Sequence, residues 1–68
     1  MTYLERLRGL REDKDLSQTQ IAHLLGVAQP TYSQYELGKR ALPIEYLITL
    51  CKYYGVSSDY VLGLKRKE

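Results

Sequence analysis

Apolar positions recur at helical spacing from the start of the chain. Leu4, Leu7 and Leu10 mark one stripe among good helix formers, which predicts a first helix over about residues 2–13. Arg6, Arg8 and Arg11 point largely away from that stripe. Gly9 interrupts it at a cost of about 1 kcal/mol relative to alanine, which is read here as room for close packing. After the connection Asp13-Lys14-Asp15, the run Ser17-Gln18-Thr19-Gln20 has the spacing of a capping box. The serine hydroxyl can accept from the third helical amide while the glutamine side chain returns the bond. Leu16 and Ile21 form the matching hydrophobic staple. A second helix follows to about Leu25, with Ile21, Ala22, Leu24 and Leu25 on its apolar side, and Gly26 stops it.

Only Gly26, Val27 and Ala28 separate this helix from the next. Ala28 is a weak N-cap, but Pro30 is tolerated in a first turn, where its missing N–H has no intrahelical partner. The third helix spans about residues 29–37 and ends at Gly38. Lys39-Arg40-Ala41-Leu42-Pro43 forms a loop. Ile44, Leu47, Ile48 and Cys51, with Leu50 and Tyr54, then trace a broad apolar stripe over about residues 43–54. Gly55 closes that helix. Val56-Ser57 restarts the chain, with Ser57 as cap, Asp59 complementing the helix dipole and Val56 paired with Val61. The fifth helix covers about residues 57–62. With no alternating strand pattern, repeat or low-complexity tract, the fold class is all-α. A single five-helix domain is expected over residues 1–64, with a short basic tail over residues 65–68.

Length and composition narrow the classes of function. At 68 residues the chain has room for one small core, burying about 60% of the surface that its unfolded chain exposes. Cys51 is the only cysteine, so no internal disulfide is available, and no His/Cys spacing suggests a metal site. No apolar run approaches the roughly 18 residues needed to span a bilayer, and the N-terminus lacks a secretory pattern. A cytoplasmic protein without membrane partners is expected. The formal net charge of +2 permits a polyanionic partner without requiring one. One histidine, one cysteine and no paired carboxylates or glycine-rich phosphate loop argue against catalysis. No cofactor is expected.

Two helices joined by three residues, with Ala22 in the first and Gly26 at the turn, form a helix-turn-helix. A small residue at 22 lets the helices approach, and Gly26 allows a sharp exit with positive φ. On the third helix, at about 100° per residue, Ala28, Thr31, Tyr32 and Tyr35 fall toward the core. Gln29, Pro30, Ser33 and Gln34 fall within about 140° on the opposite side. That outer face carries no charge, whereas a merely solvated face more often carries Glu and Lys. Gln can bond the N6/N7 edge of adenine, and an apolar group can touch a thymine methyl. Gln18, at the amide-rich start of the second helix, and Lys39 and Arg40, beyond the third, are candidate phosphate contacts.

The run Leu16-Ser17-Gln18, Ile21-Ala22, Leu25-Gly26-Val27, Tyr32-Ser33-Gln34-Tyr35-Glu36 and Gly38-Lys39-Arg40 resembles the lambda-repressor-like (Cro-like, XRE-type) helix-turn-helix. The likeness continues through Gly55-Val56-Ser57 and Asp59-Tyr60-Val61-Leu62, covering about residues 4–63. The resemblance implies a DNA-binding transcriptional regulator, most often a repressor. Such a protein binds a palindromic double-stranded operator as a homodimer, its third helix in the major groove and its half-sites about 34–36 Å apart. It also implies an ion pair between Arg11 and Glu36 that fixes the third helix against the first. Ala28 in place of a capping Ser or Thr, and Pro30 at an often polar position, depart from the pattern. A contact with base methyls or with DNA shape is expected at Pro30.

The remaining residues carry plainer expectations. His23 reads as a surface residue and Cys51 as a small core residue. Tyrosine supplies all seven aromatic side chains; Tyr32 and Tyr54 are expected in the core. Tyr53, Tyr60, Leu62 and Leu64 are candidates for a dimer interface, with partly buried tyrosines as the alternative. Lys65, Arg66 and Lys67 could touch DNA or form a free end. A protein partner, as for an antitoxin or an adaptor that has kept only the fold, is the rival to operator DNA.

Overall fold

The computed structural model describes residues 2–64, which form five helices. They are α1 (Tyr3–Asp13), α2 (Gln18–Leu25), α3 (Gln29–Glu36), α4 (Ile44–Tyr54) and α5 (Ser58–Leu62), with no strand among the described residues. Every helix expected from the apolar pattern is present, with ends within a residue or two of expectation. The N-termini follow from local hydrogen bonding. Ser17 and Gln20 complete their capping box, with Gln20 N donating to Ser17 Oγ at 3.1 Å and Ser17 N to Gln20 Oε1 at 2.7 Å. Thr2 and Glu5 form a second box at the start of α1, which the apolar pattern alone did not identify. Ser57 caps α5 through the amide of Tyr60.

Gly26 ends α2 with φ 74°. Val27 N then reaches back to Ala22 O at 3.0 Å and Gly26 N to His23 O at 3.1 Å, the paired bonds of a Schellman turn. The chain therefore leaves α2 sharply without stranding its last carbonyls. Ala28 makes no side-chain cap, and Pro30 occupies the first turn of α3, so α3 begins without the side-chain bond that starts α2.

The core is formed by Leu7, Ile21, Ala22, Tyr32, Tyr35, Leu47, Leu50, Cys51, Tyr54 and Val61. Leu50 and Val61 are fully enclosed. In these contacts α2 packs on α3, α1 lies against α3 and α5, and α4 meets α5. Tyr35 also meets Tyr46 edge to face at 6.0 Å, joining α3 to α4. Cys51 is a buried free thiol, raised above its ordinary pKa by burial, and His23 is exposed.

Four expectations about packing are corrected. Ile44 and Ile48 do not join the buried stripe of α4; they are 61% and 47% exposed. Leu47, Leu50, Cys51 and Tyr54 occupy an arc of about 100°, and the two isoleucines lie roughly 70° and 110° from its centre. Leu24 is exposed for the same reason, lying about 110° from the centre of the arc of Ile21, Leu25 and Ala22. Ala28, placed toward the core by helical angle, is exposed at the mouth of the turn. Gly9 is not a close-packing site, because a Cβ built there meets no atom within 4 Å.

Candidate nucleic-acid interface

The outer face of α3 consists of Pro30 and Gln34, both exposed, with Gln29 and Ser33 partly exposed beside them. It carries no ionised group. The helix is held from behind by Tyr32 and Tyr35, whose rings sit in the core. The backbone carbonyl of Gln34 accepts from both Lys39 N at 2.9 Å and Arg40 N at 3.3 Å. That turn fixes where the chain leaves α3. It also commits both backbone amides, leaving the exposed Lys39 and Arg40 side chains as the positive groups of this edge.

At the start of α2, the capping box uses the amides of Ser17 and Gln20. The amides of Gln18 and Thr19, in the first turn, remain as outward donors at the positive end of the helix dipole, where an anion is favoured. The Gln18 side chain is not a free arm. Its Nε2 donates to Glu36 Oε1 at 3.0 Å, and its Oε1 accepts from Gln29 Nε2 at 2.8 Å. A phosphate contact by Gln18 would therefore use its backbone N–H or its second amide hydrogen.

Glu36 stands at the centre of this arrangement. Arg11 Nε donates to Glu36 Oε2 and Arg11 Nη2 to Glu36 Oε1, each at 2.9 Å, a bidentate pair joining α1 to the end of α3. Tyr32, one turn earlier on α3, donates its hydroxyl to Oε2 at 2.8 Å. Arg11 Nη1 also donates to Leu16 O at 2.8 Å, just ahead of the α2 cap. The Glu36 and Arg11 side chains are only 4% and 11% exposed. Burial pushes the Glu36 carboxyl up, but the bonds from Arg11, Gln18 and Tyr32 outweigh it and hold the group below the ordinary carboxylate value. Tyr32 is raised well above an ordinary phenol, by burial first and then by its bond to Glu36. Tyr54, raised to about 12 by burial, has a buried hydroxyl with no hydrogen-bond partner among the described residues.

The structure thus brings together Arg11, Gln18, Gln29 and Glu36. It places Pro30, Ser33 and Gln34 alongside on α3, with Lys39 and Arg40 at the far end. Sequence reasoning named Gln18, Gln29 and Glu36 separately but missed that one chain of hydrogen bonds joins them. It also missed Tyr32 as a donor, although Tyr32 and Glu36 are four apart on one helix, a spacing that places side chains together. Of the residues expected at a dimer interface, Tyr53, Leu62 and Leu64 are exposed and Tyr60 is partly buried. Lys65, Arg66 and Lys67 lie outside the described residues. Among the described residues, no cluster of His, Cys, Asp or Glu could hold a metal ion, and no helix is long and apolar enough to cross a membrane.

Comparison with known proteins gives the architecture its relatives. The helix-turn-helix family matches residues 7–61. The HTH-type transcriptional regulator YobD of Bacillus subtilis is 40% identical over 62 residues, 91% of this chain and 55% of that protein. The cryptic phage CTXphi transcriptional repressor RstR of Vibrio cholerae is 37% identical over 54 residues, covering 79% of this chain and 49% of the repressor. The chain spans about half the length of these curated relatives. Among solved structures, the P22 c2 repressor, in complex with synthetic operator 9T, superposes with a TM-score of 0.78 at 29% identity. That match covers 91% of this chain and 94% of the repressor chain. The relatives named here are transcriptional regulators, none of them an enzyme. The same five helices carry the sequence match and the structural match, and the chain belongs to the lambda-repressor-like, XRE-type helix-turn-helix family.

Proposed function

We propose that this protein is a sequence-specific DNA-binding transcriptional regulator that works in the cytoplasm as a repressor. In this reading α3 enters the major groove of a palindromic operator, and two copies bind half-sites about one helical turn apart. Gln29, Pro30, Ser33 and Gln34 face the base edges. Gln18, Lys39 and Arg40 contact phosphates and set orientation without reading sequence. The Arg11–Glu36 pair holds α3 at its angle to α1. Tyr53, Tyr60, Leu62 and Leu64 form the contact between the two copies, and three of them are exposed as such a role requires.

The observation that carries this reading is the face of α3. It is uncharged, rich in amides, held rigidly from behind and flanked by the cations Lys39 and Arg40. The likeness to the P22 c2 repressor, itself solved on operator DNA, supports the same docking. The test is selection from a random duplex library at about 0.15 M salt, where weak contacts are screened. Enrichment of a two-fold-symmetric site with half-sites one turn apart is the expected result. On that site, Gln29→Ala and Gln34→Ala should each relax specificity at one base position, at a cost of about 1–3 kcal/mol. Equal losses on all sequences would remove the base-reading assignment.

A further inference from the structure

The outer side of α4 carries a pattern that the proposed DNA contacts do not use. Ile44, Glu45, Ile48, Thr49, Lys52 and Tyr53 are all exposed, whereas Leu47, Leu50, Cys51 and Tyr54 turn into the core. Ile44, Ile48 and Lys52 form one ridge at four-residue spacing and Glu45, Thr49 and Tyr53 the next, the kind of ridge through which helices interlock. Glu45 and Lys52 are seven positions apart, which places them within about 20° of one another around the helix and about 10.5 Å apart along it. That is beyond the spacing at which side chains on one helix meet. Among the described residues, neither forms a salt bridge within the chain. Ile48 and Thr49 lie midway between them. Thr49 donates its hydroxyl to Glu45 O at 3.0 Å, so its donor is already used within α4 when water leaves the face.

A face with this pattern is complementary to itself. Let a second α4 lie against it antiparallel, about a two-fold axis passing between residues 48 and 49. Glu45 of each copy then falls opposite Lys52 of the other, and Ile48 falls opposite Ile48. Parallel pairing would instead set Glu45 against Glu45 and Lys52 against Lys52. We propose that the outer face of α4 is a second self-association surface, on which two copies of this chain pair antiparallel, and that it joins dimers bound at neighbouring operators. A protomer that meets one copy through α5 and another through α4 continues the assembly from dimer to dimer. The joining of dimers rests on the reading of the protein as an operator-binding dimer; the pairing of α4 does not.

The size of the face sets the strength of the contact. An α4 of 11 residues is about 16 Å long and, with its side chains, about 10 Å wide. Two such faces cover a few hundred Å², well under the roughly 1,200 Å² that a stable specific interface buries. Free copies should therefore pair only at millimolar concentration. Dimers held side by side on one duplex reach a comparable effective concentration, and the contact should then raise the affinity for the second site roughly two- to tenfold.

The experiment is a charge swap read in two ways. In the free protein, backbone amide shifts are followed by NMR from tens of micromolar to a few millimolar. Amides along α4 should move together with concentration. Glu45→Lys and Lys52→Glu each place like charges at two symmetry-related pairs, so each should weaken the association at least roughly fourfold. The double variant, Glu45→Lys with Lys52→Glu, restores both pairs and should restore the association. Thermal unfolding confirms that these exposed changes leave the domain folded. The second reading uses duplexes with two copies of the selected operator at varied spacing. The ratio of affinities for the second and first sites is taken within each protein, which cancels its altered net charge toward DNA. That ratio should exceed one at a favoured spacing, fall to one in each single reversal and return in the double. Wild-type α4 amides that do not move, shifts confined to α5, or a double variant no better than the single ones would overturn the antiparallel pairing. Independent binding at every spacing would overturn the joining of dimers. Failure to select any operator would strike the DNA-binding reading and the joining of dimers with it, while the charge swap in the free protein would still decide the pairing of α4.

Discussion

Replacing Tyr32 with phenylalanine removes one bond from the Glu36 cluster and leaves almost everything else in place. The ring is 2% exposed and packs in the core, so its apolar contacts survive the change. The hydroxyl donates to Glu36 Oε2 at 2.8 Å. A hydrogen bond to a charged group contributes about 1.5–3 kcal/mol. Oε2 still receives Arg11 Nε at 2.9 Å and is not orphaned, which favours the lower end, about 1.5–2 kcal/mol. For a domain of this size, that corresponds to a fall in Tm of roughly 6–16 °C. The pH dependence makes the prediction specific. Glu36 titrates below 4.5 in the folded protein, so its stabilising contribution is present above about 4.5 and is lost as pH falls through the folded value. The Tyr32→Phe protein has a smaller depression and loses less there, so the two stabilities should converge in acid. They should converge again in base. The raised Tyr32 phenol contributes stability that is complete below 10.0 and lost as pH rises toward its folded value, and phenylalanine has no such group. Thermal unfolding followed by circular dichroism at pH 3, 7 and 10.5 is the assay. A Tm within about 2 °C of wild type at pH 7, or a deficit as large at pH 3 as at pH 7, would refute the assignment of the cluster's strength to the ionised carboxylate.

Three other outcomes can be measured with the same protein. Gly9→Ala should raise stability by about 0.5–1 kcal/mol, because the helix gains from a better former and the added Cβ meets nothing within 4 Å; chemical denaturation would show this as a higher midpoint at unchanged slope. Ser17→Ala removes the acceptor for the Gln20 amide and should cost about 1 kcal/mol, read as a lower Tm. Arg40→Ala should weaken binding to specific and unrelated duplexes alike and reduce the slope of log affinity against log salt by about one, as measured by fluorescence anisotropy between 50 and 200 mM salt.

Much of the fold was legible because its signals are local. Leu4, Leu7 and Leu10 mark α1, Ser17 and Gln20 mark the start of α2, and Gly26 marks its end, all within a few residues of one another. The Thr2–Glu5 box has the same spacing as Ser17–Gln20 and was equally open to view. The exposure of Ile44, Ile48 and Leu24 was not legible. Periodicity shows that a stripe exists, but the width of the buried arc depends on how close the facing helices lie. Gly9 was misread for a similar reason, since a glycine within a helix signals contact only when another element approaches it. Within the site, the outward face of α3 follows from helical angle alone. The bond from Gln29 to Gln18 does not, because it depends on how α2 and α3 cross after the Gly26 turn.

The Glu36 cluster also shows why a domain with so small a core keeps a part-buried ion pair beside it. Burying two charges carries a desolvation penalty that their attraction seldom exceeds by much, so stability alone is a weak reason for the pair. Its geometry is a stronger one. Apolar contacts tolerate sliding by fractions of an ångström, whereas a bidentate guanidinium bond fixes both distance and plane. Arg11 spends its third donor on Leu16 O, and Glu36 accepts from Gln18, so one pair of side chains sets α1, the entry to α2 and the end of α3 relative to one another. A face that is to meet base edges needs that precision more than it needs another kilocalorie. The residues that supply it lie behind the face, in positions that a list of outward-pointing side chains would leave out.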